Sequence, residues 1–320
     1  MCPPSNPKVI DAHLARLGKN VQVIQDIHGS TNRIRFALPN PLPLISILIP
    51  IRDKVELLIT CIESIKKKTT YPCVEIIIIN NGSVEQSTLK YLKELESDGV
   101  RILHHDFPFN YSVLNNLGAQ QACGEYLCLL NSDIEILTPE WLEGLLSYAC
   151  QHDIGCVGAK LWYPDGRLQH GGVVLGIGGV AGHAYKYIDK IDSEAILRLI
   201  APQRISAVTG ACLMIAKKKY EALEGLEEGL AVAFNDVDLC LRAMRMGLSN
   251  IFNPEVEMIH HESVSRGRDQ DPLSKARYQL EFDYMQSFWL KELQNDHFYN
   301  PNLTLIAEDF SLAIPPRFGA

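Results

Sequence analysis

The chain has 320 residues, enough for one large domain or two modest ones around a sizeable core. Hydrophobic residues make up 47% and charged residues 21%, the proportions of a soluble globular protein. The net charge of −8 leaves no basic excess for a duplex, so no nucleic-acid partner is expected.

Nine cysteines are scattered without a CxxC pair. Cys61, Cys123, Cys128, Cys150, Cys156, Cys212 and Cys240 lie in apolar segments, the pattern of reduced thiols in a cytoplasmic protein. No apolar run reaches the roughly 18–20 residues that cross a bilayer. The first residues, Met1 to Pro7, have no apolar signal-peptide core.

Residues 1–43 are polar, broken by prolines, and read as a lead-in left over from a longer, multi-domain transferase. A regular alternation follows. Residues 44–49 form a buried strand closed by Pro50, and 54–68 a helix with Val55, Leu58, Ile62 and Ile65 at helical spacing. Residues 74–79 form a second strand ending in Asn80-Asn81-Gly82-Ser83. A helix over 86–95, a strand over 100–104, a helix over 111–123 and a strand over 125–130 come next. Asn131-Ser132-Asp133 follows that strand, and Pro139 opens a further helix. Nearly all-apolar strands alternating with helices imply an α/β, Rossmann-like, mainly parallel sheet covered on both faces. Ligands bind beyond the carboxyl ends of such strands. The second half is less regular: a strand over 154–160, a mobile glycine-rich loop over 171–182, and a strand pair or bent strand over 205–216. A helix over 236–246, an extended stretch over 250–261 and a long helix over 274–295 close the domain. Its limits are 44–300, divided into halves at 44–150 and 151–300, and 301–320 is an irregular tail.

Two acidic clusters stand out. A carboxylate at the end of a buried strand is expensive to desolvate unless it holds a cation or polar ligand. Asp133 fits that position, and a hard cation such as Mn²⁺ or Mg²⁺ takes oxygen ligands together with substrate phosphates. Asn235-Asp236-Val237-Asp238 opens a helix. Its acids are also natural first-turn residues, but two of them two positions apart do not share a face. One is free to face a substrate as a base while the other meets Arg242, four residues on. His260-His261 ends the extended stretch, and either imidazole is a candidate ligand. Ser263, Ser265, Arg266 and Arg268, which follow, suit phosphate. Gly176-x-Gly178-x-x-Ala181 formally fits a dinucleotide fingerprint, but no helix pattern follows it. A lid over substrate is the reading preferred here.

Taken in order, Ser46 to Pro50, Ile76 to Ser83, Asn131-Ser132-Asp133, Thr209-Gly210-Ala211-Cys212, Asn235-Asp236-Val237-Asp238 and His260 resemble the motifs of the family-2 inverting glycosyltransferases of the GT-A, nucleotide-diphosphosugar transferase fold. The resemblance covers about residues 44–300 and points to the branch with many bacterial rhamnosyltransferases and O-antigen glycosyltransferases. It implies that Pro50, Asp53, Asn80, Asn81, Asn131 and Ser132 bind the donor nucleotide. Asp133, with His260 or His261, would hold Mn²⁺ or Mg²⁺, and Asp236 would be the catalytic base. Thr209, Gly210, Asn235, Asp238, Arg242 and His183 would serve the acceptor or position the base. The implied donor is a UDP- or dTDP-sugar, and the branch resemblance points to rhamnose as its sugar. The implied acceptor is a glycan or lipid-linked saccharide in surface polysaccharide biosynthesis, which would bring the protein to the inner face of the plasma membrane. The chain departs from the family pattern with Asn at 80, 131 and 235, where acids are common. A degenerate sugar-nucleotide or glycan-binding module is therefore the rival reading.

Overall fold

Strands whose side chains are apolar on both faces need cover on both faces, and this sequence supplies it with amphipathic helices. The computed structural model describes residues 7–25, 32–193, 196–261 and 271–317; Ser263, Ser265, Arg266 and Arg268 lie outside the described residues.

The chain opens with α1 (Pro7–Arg16) and a hairpin of β1 (Val21–Gln25) and β2 (Asn32–Phe36). The expected lead-in thus carries regular elements. Phe36 meets the Tyr148 ring edge-on at 5.5 Å, and the Tyr148 hydroxyl donates to the Ile34 carbonyl at 2.6 Å. The first half then runs β3 (Ile45–Ile51), α2 (Val55–Lys68), β4 (Val74–Asn81), α3 (Gln86–Ser97) and β5 (Arg101–His105). It continues through α4 (Tyr111–Gln121), β6 (Tyr126–Leu130), the short β7 (Ile134–Ile136) and α5 (Trp141–Ala149). The second half begins with β8 (Ile154–Trp162), β9 (Leu168–His170), β10 (Val173–Leu175), β11 (Ala181–His183) and α6 (Lys190–Ser193). It ends with β12 (Gln203–Ile205), β13 (Cys212–Ala216), α7 (Lys217–Ala222), α8 (Asn235–Arg245), β14 (Ser249–His260) and α9 (Pro272–Gln294).

The main sheet has the order β12-β14-β8-β13-β6-β3-β4-β5, with β7 on β14 and β9 on β8. Strands β6, β3, β4 and β5 are parallel, as the sequence implies. The second half is mixed: β13 lies antiparallel between β6 and β8. The period-two alternation of side chains sorts the core into two layers. Leu48, Ile77, Ile79, Leu127 and Leu129 face α4 and α8. Ile47, Ile49, Ile78, Cys128 and Leu130 face α2 and α5.

Residues 171–182, expected as a mobile loop, are a packed hairpin: β10 pairs antiparallel with β11, and Val173, Val174 and Leu175 are buried. Its glycines serve close approach. A Cβ on Gly176, at φ +85°, would stand 2.4 Å from the Leu293 carbonyl oxygen of α9. One on Gly179, at φ +93°, would stand 2.8 Å from the Phe282 ring. Small residues at these turns therefore let α9 lie down on the hairpin.

Candidate active site

Three strand ends converge at the carboxyl edge of the parallel half. After β3, Asp53 and Lys54 hold left-handed backbone, φ 55° and 59°. Such conformations in non-glycine residues cost energy and persist where surroundings enforce them. Asp53 is held by Oδ1 accepting the backbone N–H groups of Val84 and Glu85, at 2.8 and 2.9 Å, at the start of α3. After β6 the chain turns through Asn131-Ser132-Asp133 into β7, which pairs antiparallel with the end of β14, Ile134 opposite His260. That pairing seats two buried groups together: Asp133 Oδ1 lies 3.1 Å from His260 Nε2. His261 points elsewhere, with Nε2 3.0 Å from Glu135 Oε2. The two histidines, equivalent in sequence, are thus separated by geometry, and His260 is the one beside Asp133.

A cleft of about 340 Å³ lies over these strand ends. Pro50, Asp53, Asn131, Ser132 and Asp133 line it, joined by Arg52, Lys54, Phe109, Tyr111, Val232, Ser274 and Arg277. Asn80 and Asn81 do not line it. The Asn80 Oδ1 accepts the Ser83 N–H at 3.1 Å, and its amide nitrogen meets His104 Nδ1 at 3.2 Å. Asn81 donates to the Phe107 carbonyl at 2.9 Å, while its buried Oδ1 has no hydrogen-bond partner among the described residues.

Asp236, the second residue of α8, does not itself line the cleft. Its Oδ2 accepts the Gly210 N–H at 2.7 Å and its Oδ1 the Val237 N–H at 2.8 Å. Burial pushes its carboxyl above the usual range, opposed by these N–H groups and the Thr209 hydroxyl. Tyr111, in the cleft, donates to the Gly210 carbonyl at 2.8 Å, and Asn131 N–H donates to the Ala211 carbonyl at 3.0 Å. The Gly210–Ala211 backbone therefore ties Asp236 to the cleft residues Tyr111 and Asn131.

The remaining candidates lie off the cleft. Asn235 is buried and donates to the Leu230 and Val232 carbonyls at 3.2 and 3.4 Å. Asp238 is fully buried and accepts from Arg242 Nε at 2.8 Å and from Trp289 Nε1 at 2.9 Å. Arg242 also donates to the Leu223 and Gly225 carbonyls, so this pair joins α8 to α9 and to the loop before it. His183 Nδ1 stands 2.7 Å from His170 Nδ1. Sequence reasoning missed Tyr111 and Arg277. Tyr111 gives no signal beyond opening a helix. Ser274, Arg277, Tyr278 and Glu281 share one helical face by their i, i+3, i+4, i+7 spacing, a polar stripe that a search for apolar periodicity passes over.

The donor set suits a hard divalent cation. One carboxylate oxygen and one imidazole nitrogen lie 3.1 Å apart at the cleft, with no cluster of three or more His, Cys, Asp or Glu among the described residues. A cation bound by so few protein groups completes its shell with substrate oxygens.

Residues 46–222, more than half of the chain, match the family description "Glycosyl transferase family 2". An uncharacterized protein of Sinorhizobium fredii (strain NBRC 101917 / NGR234), y4gI, is 42% identical over 312 residues, covering 96% of this chain and 34% of that protein. The O-antigen biosynthesis protein RfbC of Myxococcus xanthus is 35% identical over 313 residues, 98% of this chain and 24% of RfbC. The chain thus spans about a third or less of these relatives. Among solved structures, GalNAc-T7 with UDP, GalNAc and Mn²⁺ superposes with a TM-score of 0.62 at 16% identity, covering 92% of this chain and 59% of that one. The mannosyltransferase PcManGT of Pyrobaculum calidifontis, with GDP-Man and Mn²⁺, gives 0.54 at 15% identity, covering 86% and 70%. The sheet order, the cleft at its strand ends and these matches lead to one assignment: the chain belongs to glycosyl transferase family 2 and has the GT-A fold.

Proposed function

We propose that the protein is an inverting, divalent-metal-dependent glycosyltransferase. It takes a sugar from a UDP- or dTDP-sugar, with rhamnose the favoured sugar, and passes it to a glycan or lipid-linked saccharide in surface polysaccharide synthesis. The observation that carries this is Asp133 at the cleft with His260 beside it, and Asp236 tied to the cleft residues Tyr111 and Asn131 through the Gly210–Ala211 backbone. The likeness to RfbC supports the polysaccharide context. The nucleotide-sugar complexes of the two structural neighbours support the donor class.

Asp53, Pro50 and the Asn131-Ser132 turn form the floor on which the nucleotide lies. Asp133 and His260 would hold Mn²⁺ or Mg²⁺, which offsets charge on the diphosphate when bound. Arg277, from α9, adds a fixed cation on the leaving-group side. Asp236 accepts the proton of the acceptor hydroxyl as its oxygen bonds to the anomeric carbon. The bond to the diphosphate breaks on the opposite face, the diphosphate keeps the electron pair, and the configuration inverts. The raised carboxyl of Asp236 suits a base, since proton affinity rises with it.

The test is calorimetric binding of UDP, dTDP, GDP, CMP and NAD⁺, each with Mn²⁺ and after chelation. One nucleoside diphosphate should bind in a metal-dependent way, and Asp133→Ala should weaken it at least about tenfold, a loss of ~1.4 kcal/mol. No nucleotide binding under either condition would favour the glycan-binding module instead.

A further inference from the structure

The chain enters α8 through a strained residue. Phe234, just before Asn235, has left-handed backbone at φ 64° without being glycine. A backbone held there needs partners that enforce it. Leu230 and Ala231 have theirs from α4: the Ser112 hydroxyl donates to the Leu230 carbonyl at 2.6 Å and the Tyr111 N–H to the Ala231 carbonyl at 2.7 Å. The next two residues are held from the other side, by Glu281 of α9. This carboxylate is 1% exposed, with Oε1 accepting the Val232 N–H at 2.8 Å and Oε2 the Ala233 N–H at 3.1 Å. Four residues earlier on the same helix, Arg277 Nε lies 3.7 Å from Glu281 Oε2 and faces the cleft. Between them Tyr278 packs on the Phe234 ring, centroids 5.6 Å apart.

A fully buried carboxylate is costly unless its lone pairs are met by good donors, and here both oxygens are. A carboxylate is the side chain that offers two acceptors to two successive backbone N–H groups at this spacing. One residue thus joins the loop that aims Asp236 to the helix that carries Arg277.

We propose that Glu281 is a positioning residue: it locks Val232 and Ala233, and through Phe234 sets the aim of Asp236, from the helix that carries Arg277 over the donor cleft. This rests on the function proposed above. The carboxylate acts through Asp236 and touches no reacting atom. Displacing a base by about 1 Å costs on the order of 10²-fold in rate.

The experiment compares wild type, Glu281→Gln, Glu281→Ala, Asp236→Asn and the double variant Asp236→Asn with Glu281→Ala. Donor turnover is followed as hydrolysis of UDP-glucose and dTDP-rhamnose with Mn²⁺, water standing in for the acceptor. Backbone amide exchange over residues 230–237 and thermal melting are measured alongside. In the alanine variant kcat should fall on the order of 10²-fold, with a smaller change in donor KM. In the Asp236→Asn background the same change should cost no more than about twofold, because residues acting as a unit are not additive. Exchange at Val232 and Ala233 should quicken while the core strands keep their protection. An equal loss in both backgrounds, or full turnover in the alanine variant, overturns the proposal. If the alanine variant does not fold, the near-isosteric glutamine variant, which keeps one acceptor but sets an NH₂ against the second N–H, gives the same readings. If the wild type neither turns over nor binds a nucleotide, the proposed function falls, and unchanged exchange at Val232 and Ala233 in the glutamine variant separately overturns the clamp.

Discussion

Burial displaces the titration of Asp236 upward and that of His170 downward, with different consequences. For Asp236, as the proposed base, the consequence would be catalytic. A base works only when deprotonated, so the acid limb of kcat/KM should lie above the ordinary carboxylate value of about 3.9. A pH–rate profile that stays flat down to that value would remove Asp236 from the role. For His170 the consequence is stability. Desolvation, then His183, then His260 hold its pKa well below the ordinary imidazole value. The two Nδ1 atoms 2.7 Å apart require one ring to donate and the other to accept, which also disfavours a second proton. Above about pH 6.5 the group is neutral in both folded and unfolded chains and its titration changes nothing. As the pH falls below that value the unfolded chain binds a proton that the fold refuses, so stability drops. His170→Gln should start less stable, through the lost contact to His183, yet lose less melting temperature between pH 7.5 and 5.5 than wild type. An identical slope in the two proteins would refute the account. At this scale the sequence put forward Asp133, Asp236 and the histidine pair as candidates. It could not separate His260 from His261, because that choice is made by the β7–β14 register, a pairing of residues more than a hundred apart.

At the scale of elements, α8 and α9 are joined by Asp238. Its position in an acidic doublet suggests a role at the substrate, yet the carboxylate is fully buried and takes Arg242 on one oxygen and Trp289 on the other. Removing Asp238 takes the carboxylate from the partly buried Arg242 and the acceptor from the buried Trp289 N–H, at a cost of about 3 kcal/mol. Asp238→Ala should therefore lower the unfolding free energy by about that amount, read by urea denaturation, while nucleotide affinity measured well below the melting temperature stays near wild type. Lost affinity in a folded variant would place Asp238 in the binding machinery instead. The parallel strands were legible because an all-apolar run with turn residues at its end has few other solutions. The β10–β11 hairpin was not. Its glycines read as looseness in sequence, whereas in the fold they make room for the Leu293 carbonyl and the Phe282 ring, contacts contributed by a helix about a hundred residues further on.

For the molecule as a whole, the amino-terminal elements and the cleft are separate concerns. The β1–β2 hairpin packs on α5 through Phe36 and Tyr148, with Arg35 3.0 Å from Glu140, and none of its described residues lines the cleft. Removing residues 1–36 should lower the melting temperature by exposing Tyr148, and leave nucleotide affinity within about twofold, ~0.4 kcal/mol. A larger loss of affinity would show that the hairpin supports the donor floor.

The antiparallel course of β13 has its own consequence. Because β13 runs against β6, the edge where β6 leaves the sheet is the edge where β13 enters it, and Ala211 meets Asn131 there. A strand running with its neighbours would deliver Thr209 and Gly210 to the opposite edge, far from Asp133. The chain between β8 and β13 that spans the inversion is built into the fold: β9 pairs with β8, β12 with β14, and the β10–β11 hairpin lies against α9. The Leu213–Leu129 pairing fixes where β13 begins, and so holds Gly210, and with it Asp236, at the edge where Asn131 lies.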